Sequence, residues 1–105
     1  MGSSSHEDDL EAQIDASERP LLLEFTAPWC GACRAMKPVL RDIAEDAGEG
    51  TSVIEVDVEQ QEAIALRFGV TTLPTYLLVV DGEEKARLSG VQTRARLSRL
   101  LGMRP

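Results

Sequence analysis

The chain has 105 residues, a formal net charge of −7 and 43% apolar residues. That is the length of one domain with enough apolar material for a single core, and its acidic balance argues against a nucleic-acid surface. No apolar run reaches the roughly 18 residues that a membrane-spanning helix needs.

In chain order, residues 1–6 read as an expression scar or disordered tail, and 7–105 as a single domain. His6, the only histidine, is expected to be idle, since a lone terminal imidazole has nothing to act on. Residues 7–17 predict a short amphipathic helix. Leu10 and Ile14 share a face, and Glu7, Asp8 and Asp9 suit the positive end of its dipole. Arg19-Pro20 ends it. Leu21-Leu22-Leu23-Glu24-Phe25 is an apolar run holding one carboxylate and bounded by prolines, which reads as a strand covered on both faces.

From Cys30 to about residue 47 the sequence predicts a helix with Met36, Val39, Leu40, Ile43 and Ala47 on one face. Pro38 should kink it, and Gly48 and Gly50 should stop it. Residues 53–58 alternate and are β-branched, so they form a second strand, parallel to the first in a βαβ unit. Residues 62–68 read as a short helix ended by Gly69, and 70–73 as a loop leading to Pro74. Residues 76–80 form a third strand, Asp81-Gly82 a hairpin turn, and 84–88 an antiparallel edge strand. Thr93 caps a last helix that turns Leu97, Leu100 and Leu101 inward.

Both cysteines lie in Trp29-Cys30-Gly31-Ala32-Cys33. A spacing of three residues is one helical turn, which places the two sulfurs on one face, with Cβ atoms about 5–6 Å apart. Such a pair can open and close a disulfide with small backbone adjustments. Cys-x-x-Cys beside a strand–helix pattern reads first as a redox motif. A structural zinc site needs four ligands, and two cysteines with one terminal histidine do not supply them. A metal or cluster bridged between two chains stays open as a minor alternative. No cysteine is left for a structural bridge, which fits a reducing compartment.

The segment 24–33, Glu-Phe-Thr-Ala-Pro-Trp-Cys-Gly-Ala-Cys, together with Leu73-Pro74-Thr75 and Ser89-Gly90-Val91, resembles the thioredoxin family over residues 21–101. The resemblance implies an α/β thioredoxin fold, a mixed central sheet flanked by helices. No β pattern precedes residue 7, so about four strands are expected, without the family's extra N-terminal one.

The resemblance also implies roles. Cys30, at a helix N-terminus where free N–H groups favour an anion, is the attacking thiolate. Cys33, one turn inside, resolves the mixed disulfide. Glu24 stands where the family usually has Asp, and is read as the proton acceptor for Cys33. Leu73–Pro74 should be a cis peptide facing the sulfurs, leaving the Leu73 backbone free to pair with an extended substrate. Trp29, Gly31, Ala32, Leu73, Pro74, Gly90 and Val91 should form an apolar contact patch. Three residues depart from the family pattern. Thr26 and Ala32 replace the usual Trp and Pro, and Glu55 lies near the usual place of a lysine facing the buried acid.

The expected activity is protein-disulfide reduction by a cytoplasmic, monomeric thiol–disulfide oxidoreductase. Its substrates would be disulfide-containing proteins and its electron donor a thioredoxin-reductase-type partner. No cofactor or metal is expected beyond the redox-active Cys30–Cys33 disulfide, and no nucleic acid or membrane. Two readings stay open beside it: a dedicated extracytoplasmic reductant with a trimmed signal or anchor, and a binding module that keeps the fold without cycling.

Overall fold

The computed structural model describes residues 2–102, with side chains from Asp9 onward. Eight elements follow one another: α1 (Gly2–Ala16), β1 (Leu21–Thr26), α2 (Gly31–Ala47), β2 (Ser52–Asp57), α3 (Glu62–Arg67), β3 (Thr75–Val80), β4 (Glu83–Ser89) and α4 (Arg94–Leu100). α1 begins at Gly2, five residues before the expected start and within the stretch read as a tail, and the reading of His6 concerns a side chain outside the described residues.

The strands form one sheet in the order β2-β1-β3-β4. β1 and β2 are parallel, joined by α2, while β3 runs antiparallel to β1 and β4 antiparallel to β3. All six residues of β1 are buried, as a strand covered on both faces must be. Its side chains alternate between two cores. Leu21, Leu23 and Phe25 pack with Ile14, Ile64, Leu77 and Val79 on the side of α1 and α3. Leu22 packs with Met36, Leu40, Ile43, Tyr76 and Leu97 on the side of α2 and α4. Truncating a fully buried leucine such as Leu23 to alanine costs about 2–5 kcal/mol. By the same alternation Glu24 lies on the α2 side.

Boundaries move where side chains, rather than periodicity, decide them. Cys30 is not the first helical residue but the N-cap of α2, held extended at φ −86° and ψ 103°. β2 spans Ser52–Asp57 rather than 53–58, although Val58 N–H still donates to Thr26 O at 2.9 Å. β3 begins one residue early, at Thr75, whose hydroxyl meets the Thr72 carbonyl and the Ser89 hydroxyl. α4 is capped as expected: the Thr93 side chain accepts from Arg96 N–H.

The hairpin at Asp81-Gly82 has both residues at positive φ, 53° and 78°, the pattern of a type I′ turn. Arg67 ties this turn to two helices. It bonds Asp15 at 2.7 Å and the Gly82 carbonyl at 3.1 Å. It pairs with Glu11 at 3.3 Å and lies 4.9 Å from the centre of the Phe68 ring.

Candidate active site

β1 ends at Thr26, and Ala27-Pro28-Trp29 turns the chain into α2, so the cysteines stand at the tip of a central strand. Cys30 and Cys33 are joined as a disulfide with Cα atoms 5.3 Å apart, an ordinary span for such a bond. Cys30 is 7% exposed and Cys33 1%. That difference makes Cys30 the more accessible sulfur. The Cys30 Sγ accepts the Cys33 backbone N–H at 3.1 Å. A sulfur at the N-cap, meeting a free N–H and the positive end of a helix of 17 residues, is better placed for a negative charge than one in water. The donor found there belongs to Cys33, the residue three positions on.

Ala27, Leu73 and Val58 pack around the two cysteines. The Leu73–Pro74 bond is cis. No backbone hydrogen bond among the described residues uses Leu73 N–H or C=O. Gly90 N–H donates to Pro74 O at 2.8 Å, which brings the Gly90-Val91 loop beside this segment. Gly90 itself sits at φ +84°, a conformation glycine adopts without strain. Trp29, Gly31, Ala32 and Val91 are exposed, Leu73 and Gly90 partly buried and Pro74 buried. Trp29 is 66% exposed and Val91 64%. Trp29 is held nonetheless: its indole N–H donates to Glu59 Oε2 at 2.9 Å, and Glu59 N–H donates to Asp57 Oδ1 at 2.8 Å. Sequence reasoning missed Glu59, which is 30 residues from Trp29 and carries no motif of its own.

Glu24 is 3% exposed and its Oε2 has no hydrogen-bond partner. Its neighbours in the sheet register are Glu55 on β2 and Tyr76 on β3. Burial first, and then the Glu55 carboxylate, raise its pKa from 4.5 to about 7, against the opposing pull of Lys37. Glu24, Lys37 and Glu55 line a cavity of about 350 Å³ together with Leu40, Arg41, Ala44 and Val53. Lys37 and Glu55 form an ion pair at 3.6 Å. Burial and the Glu24 charge likewise push the Tyr76 phenol upward, and its hydroxyl is also without a partner. No hydrogen bond joins Glu24 to Cys33 in the disulfide form. Lys37 was not singled out from sequence, although it lies one turn beyond Cys33 on the same helix face. Among the described residues no cluster of three or more His, Cys, Asp or Glu could hold a metal ion.

The thioredoxin family model matches residues 3–102. The chain belongs to the thioredoxin family. It is 32% identical to the thioredoxin of Haemophilus influenzae over 93 residues, 89% of this chain and 87% of the relative. To that of Mycolicibacterium smegmatis it is 37% identical over 97 residues, 90% and 87% of the two chains. It is also 35% identical over 77 residues to the chloroplastic thioredoxin Y of Oryza sativa, covering 73% of this chain. The chain spans 46% of the length of that plant relative. The crystal structure of thioredoxin NaTrxh from Nicotiana alata superposes with a TM-score of 0.81 at 25% identity, over 97% of this chain and 88% of that one. The four-stranded mixed sheet flanked by helices is thus a thioredoxin fold. With its paired cysteines in the family's Trp-Cys-Gly-x-Cys setting, the chain is a thiol–disulfide oxidoreductase of the protein-disulfide reductase kind.

Proposed function

We propose that this protein works as a monomeric cytoplasmic reductant of protein disulfides, with residues 7–105 as its one domain. It receives electrons from a thioredoxin-reductase-type donor and holds no cofactor or metal. The observation that carries the reading is the Cys30 sulfur at the α2 N-cap, accepting the Cys33 N–H while paired with Cys33 in a disulfide. Among the described residues no helix is long and apolar enough to cross a membrane.

In the reduced chain the Cys30 thiolate attacks one sulfur of a substrate disulfide. The substrate S–S bond breaks, a mixed disulfide forms, and the departing substrate thiolate takes a proton from water. Glu24 then accepts the Cys33 thiol proton. The Cys33 thiolate attacks the Cys30 sulfur, the mixed disulfide breaks, and the second substrate thiolate leaves. Two electrons pass from the dithiol to the substrate, and the Cys30–Cys33 disulfide remains for the donor to reduce.

Trp29, Gly31, Ala32 and Val91 offer exposed surface around the sulfurs, and Leu73, Pro74 and Gly90 continue it. Leu73 has backbone groups free of backbone partners, so an extended substrate segment can pair there as an added strand. The test is catalytic reduction of a disulfide-containing protein by the full chain with dithiothreitol as electron source. Turnover well above the dithiothreitol background, abolished in Cys30→Ser, is expected. A chain that binds the substrate without accelerating its reduction would be a binding module instead.

A further inference from the structure

Acids outnumber bases in this chain by 18 to 11, so its cations have no shortage of partners. Most take one. Lys37, Arg67, Lys85, Arg87 and Arg94 each pair with a carboxylate, and Arg19 and Arg34 each donate to a backbone carbonyl. The side chains of Arg41, Arg96 and Arg99 bond no other described residue. Arg41 stands on the wall of the cavity that holds Glu24. Arg96 and Arg99, three residues apart on α4 and so on one face, instead line a shallow groove of about 280 Å³ with Leu88 of β4 and Leu100. No acid lines this groove. Asp46 on α2 and Glu83 on β4 are already held, by Arg94 and Lys85. The two leucines pack against Leu22, Tyr76 and Leu97, so the groove has an apolar floor with two exposed cations at its rim. Leu88 lies two residues before Gly90, whose N–H donates to Pro74 O. Two residues of extended chain span about 7 Å. The groove therefore begins beside the surface that would receive a substrate at the cysteines.

We propose that the groove between β4 and α4 is a docking site for an acidic segment of the substrate protein, in which a large apolar residue is flanked by carboxylates. The inference rests on the reading of this chain as a reductant of protein disulfides, and it names the class of substrate the chain prefers. The apolar side chain covers Leu88 and Leu100, and the carboxylates meet Arg96 and Arg99. A guanidinium group receives a carboxylate through two parallel hydrogen bonds. Both arginines are exposed, so each contact is modest and acts on which protein docks rather than on how fast the sulfurs exchange. The net charge of −7 does not forbid such a partner. At physiological salt, charges more than about 8 Å away are largely screened, and the groove itself holds only cations. An inorganic anion would gain nothing from the leucine floor. An anionic membrane would need the apolar face of α4, and Leu97 on that face is spent in the core.

The experiment follows reduction of two synthetic peptides by the full chain, with dithiothreitol as electron source. Each peptide holds one internal disulfide. One continues through a Gly-Ser spacer into Glu-Leu-Glu, the other into Lys-Leu-Lys. The parent should show a KM about tenfold lower for the acidic peptide, with similar kcat for both. In the double variant Arg96→Gln/Arg99→Gln the ratio of the two KM values should fall to near one. Arg19→Gln removes a positive charge ahead of β1, away from the groove, and should keep the ratio. Equal KM values in the parent overturn the proposal. So does a preference that survives in Arg96→Gln/Arg99→Gln, or one that Arg19→Gln also erases. Backbone amide NMR reads the groove without turnover. The peptide Gly-Ser-Glu-Leu-Glu, which has no disulfide, should shift the amides of Leu88, Arg96, Arg99 and Leu100. Shifts produced by inorganic phosphate or by phosphatidylglycerol vesicles, and not by this peptide, also overturn the proposal. A parent chain that reduces neither disulfide peptide would instead overturn the reading of function, and the amide shifts would still decide whether the groove takes an acidic segment.

Discussion

Replacing Glu24 by glutamine tests the buried carboxyl group through stability alone. In the fold its pKa stands at about 7 against 4.5 for an unperturbed glutamate. The native state therefore holds this proton over a range where the unfolded chain has lost it. Below pH 4.5 both states are protonated and the group is neutral to stability. As pH rises from 4.5 toward 7 the unfolded chain gains by ionising and the folded one does not, so stability falls. Above about pH 7 both are ionised and the loss is complete. Two and a half units at about 1.4 kcal/mol each give a cost on the order of 3 kcal/mol at and above neutral pH. Glutamine does not ionise, so Glu24→Gln should escape this loss. Any constant cost of its amide donors cancels when one pH is compared with another. Urea unfolding of parent and variant from pH 4.5 to 8.5 is the assay. The variant's stability minus the parent's should climb by roughly 2–4 kcal/mol across that span. In thermal melts at pH 8 the climb corresponds to a shift on the order of 10 °C. Parallel stability curves would show that Glu24 is ionised throughout, and the buried neutral carboxyl would be refuted.

Other perturbations probe separate parts of the molecule. Cys33→Ser leaves Cys30 as the only thiol, so a disulfide substrate should accumulate as a covalent adduct on Cys30, visible by mass spectrometry. Adducts that build up in Cys30→Ser and not in Cys33→Ser would reverse the two roles. Gly82→Ala places a methyl group 2.7 Å from Asp15 Oδ1 at φ +78°. It should cost about 1–3 kcal/mol in urea unfolding, and a neutral effect would mean that the Arg67–Asp15 contact is not held in solution. Tyr76→Phe removes a buried hydroxyl that has no partner. It should leave stability unchanged or raise it by about 1 kcal/mol, whereas a clear loss would reveal a hydrogen bond to that hydroxyl.

What the sequence made legible was what short range decides. The apolar run at Leu21 to Phe25, the helical period from Met36 to Ala47 and the Asp81-Gly82 turn each specify their element locally, and all three stand in the structure. The cysteine pair was legible because its spacing alone brings the sulfurs together. Glu24 could be read as buried because a carboxylate inside a doubly covered strand has nowhere else to go. The start of α1 was not legible, since Gly2 to Ser5 carries no apolar period to mark a helix. Two parts of the site were hidden for a different reason. Glu59 reaches Trp29 and Lys37 reaches Glu55 only after β1, α2 and β2 have been assembled. An exposed Lys or Glu gives no sign in sequence of which buried group it will face.

The order β2-β1-β3-β4 leaves two open margins, one along β2 and one along β4. A strand with unsatisfied backbone groups on its outer side is a template for another chain. β2 carries Glu55 and Asp57, and β4 carries Glu83, Glu84, Lys85 and Arg87, with a register shift opposite Leu78 and Val79 that interrupts its ladder. Copies of a molecule with net charge −7 also repel one another. Solubility at neutral pH is thus written into the margins of the sheet by carboxylates. Acidification should weaken that guard first along β2, whose charges are all acidic, and light scattering should then rise as the carboxylates are neutralised.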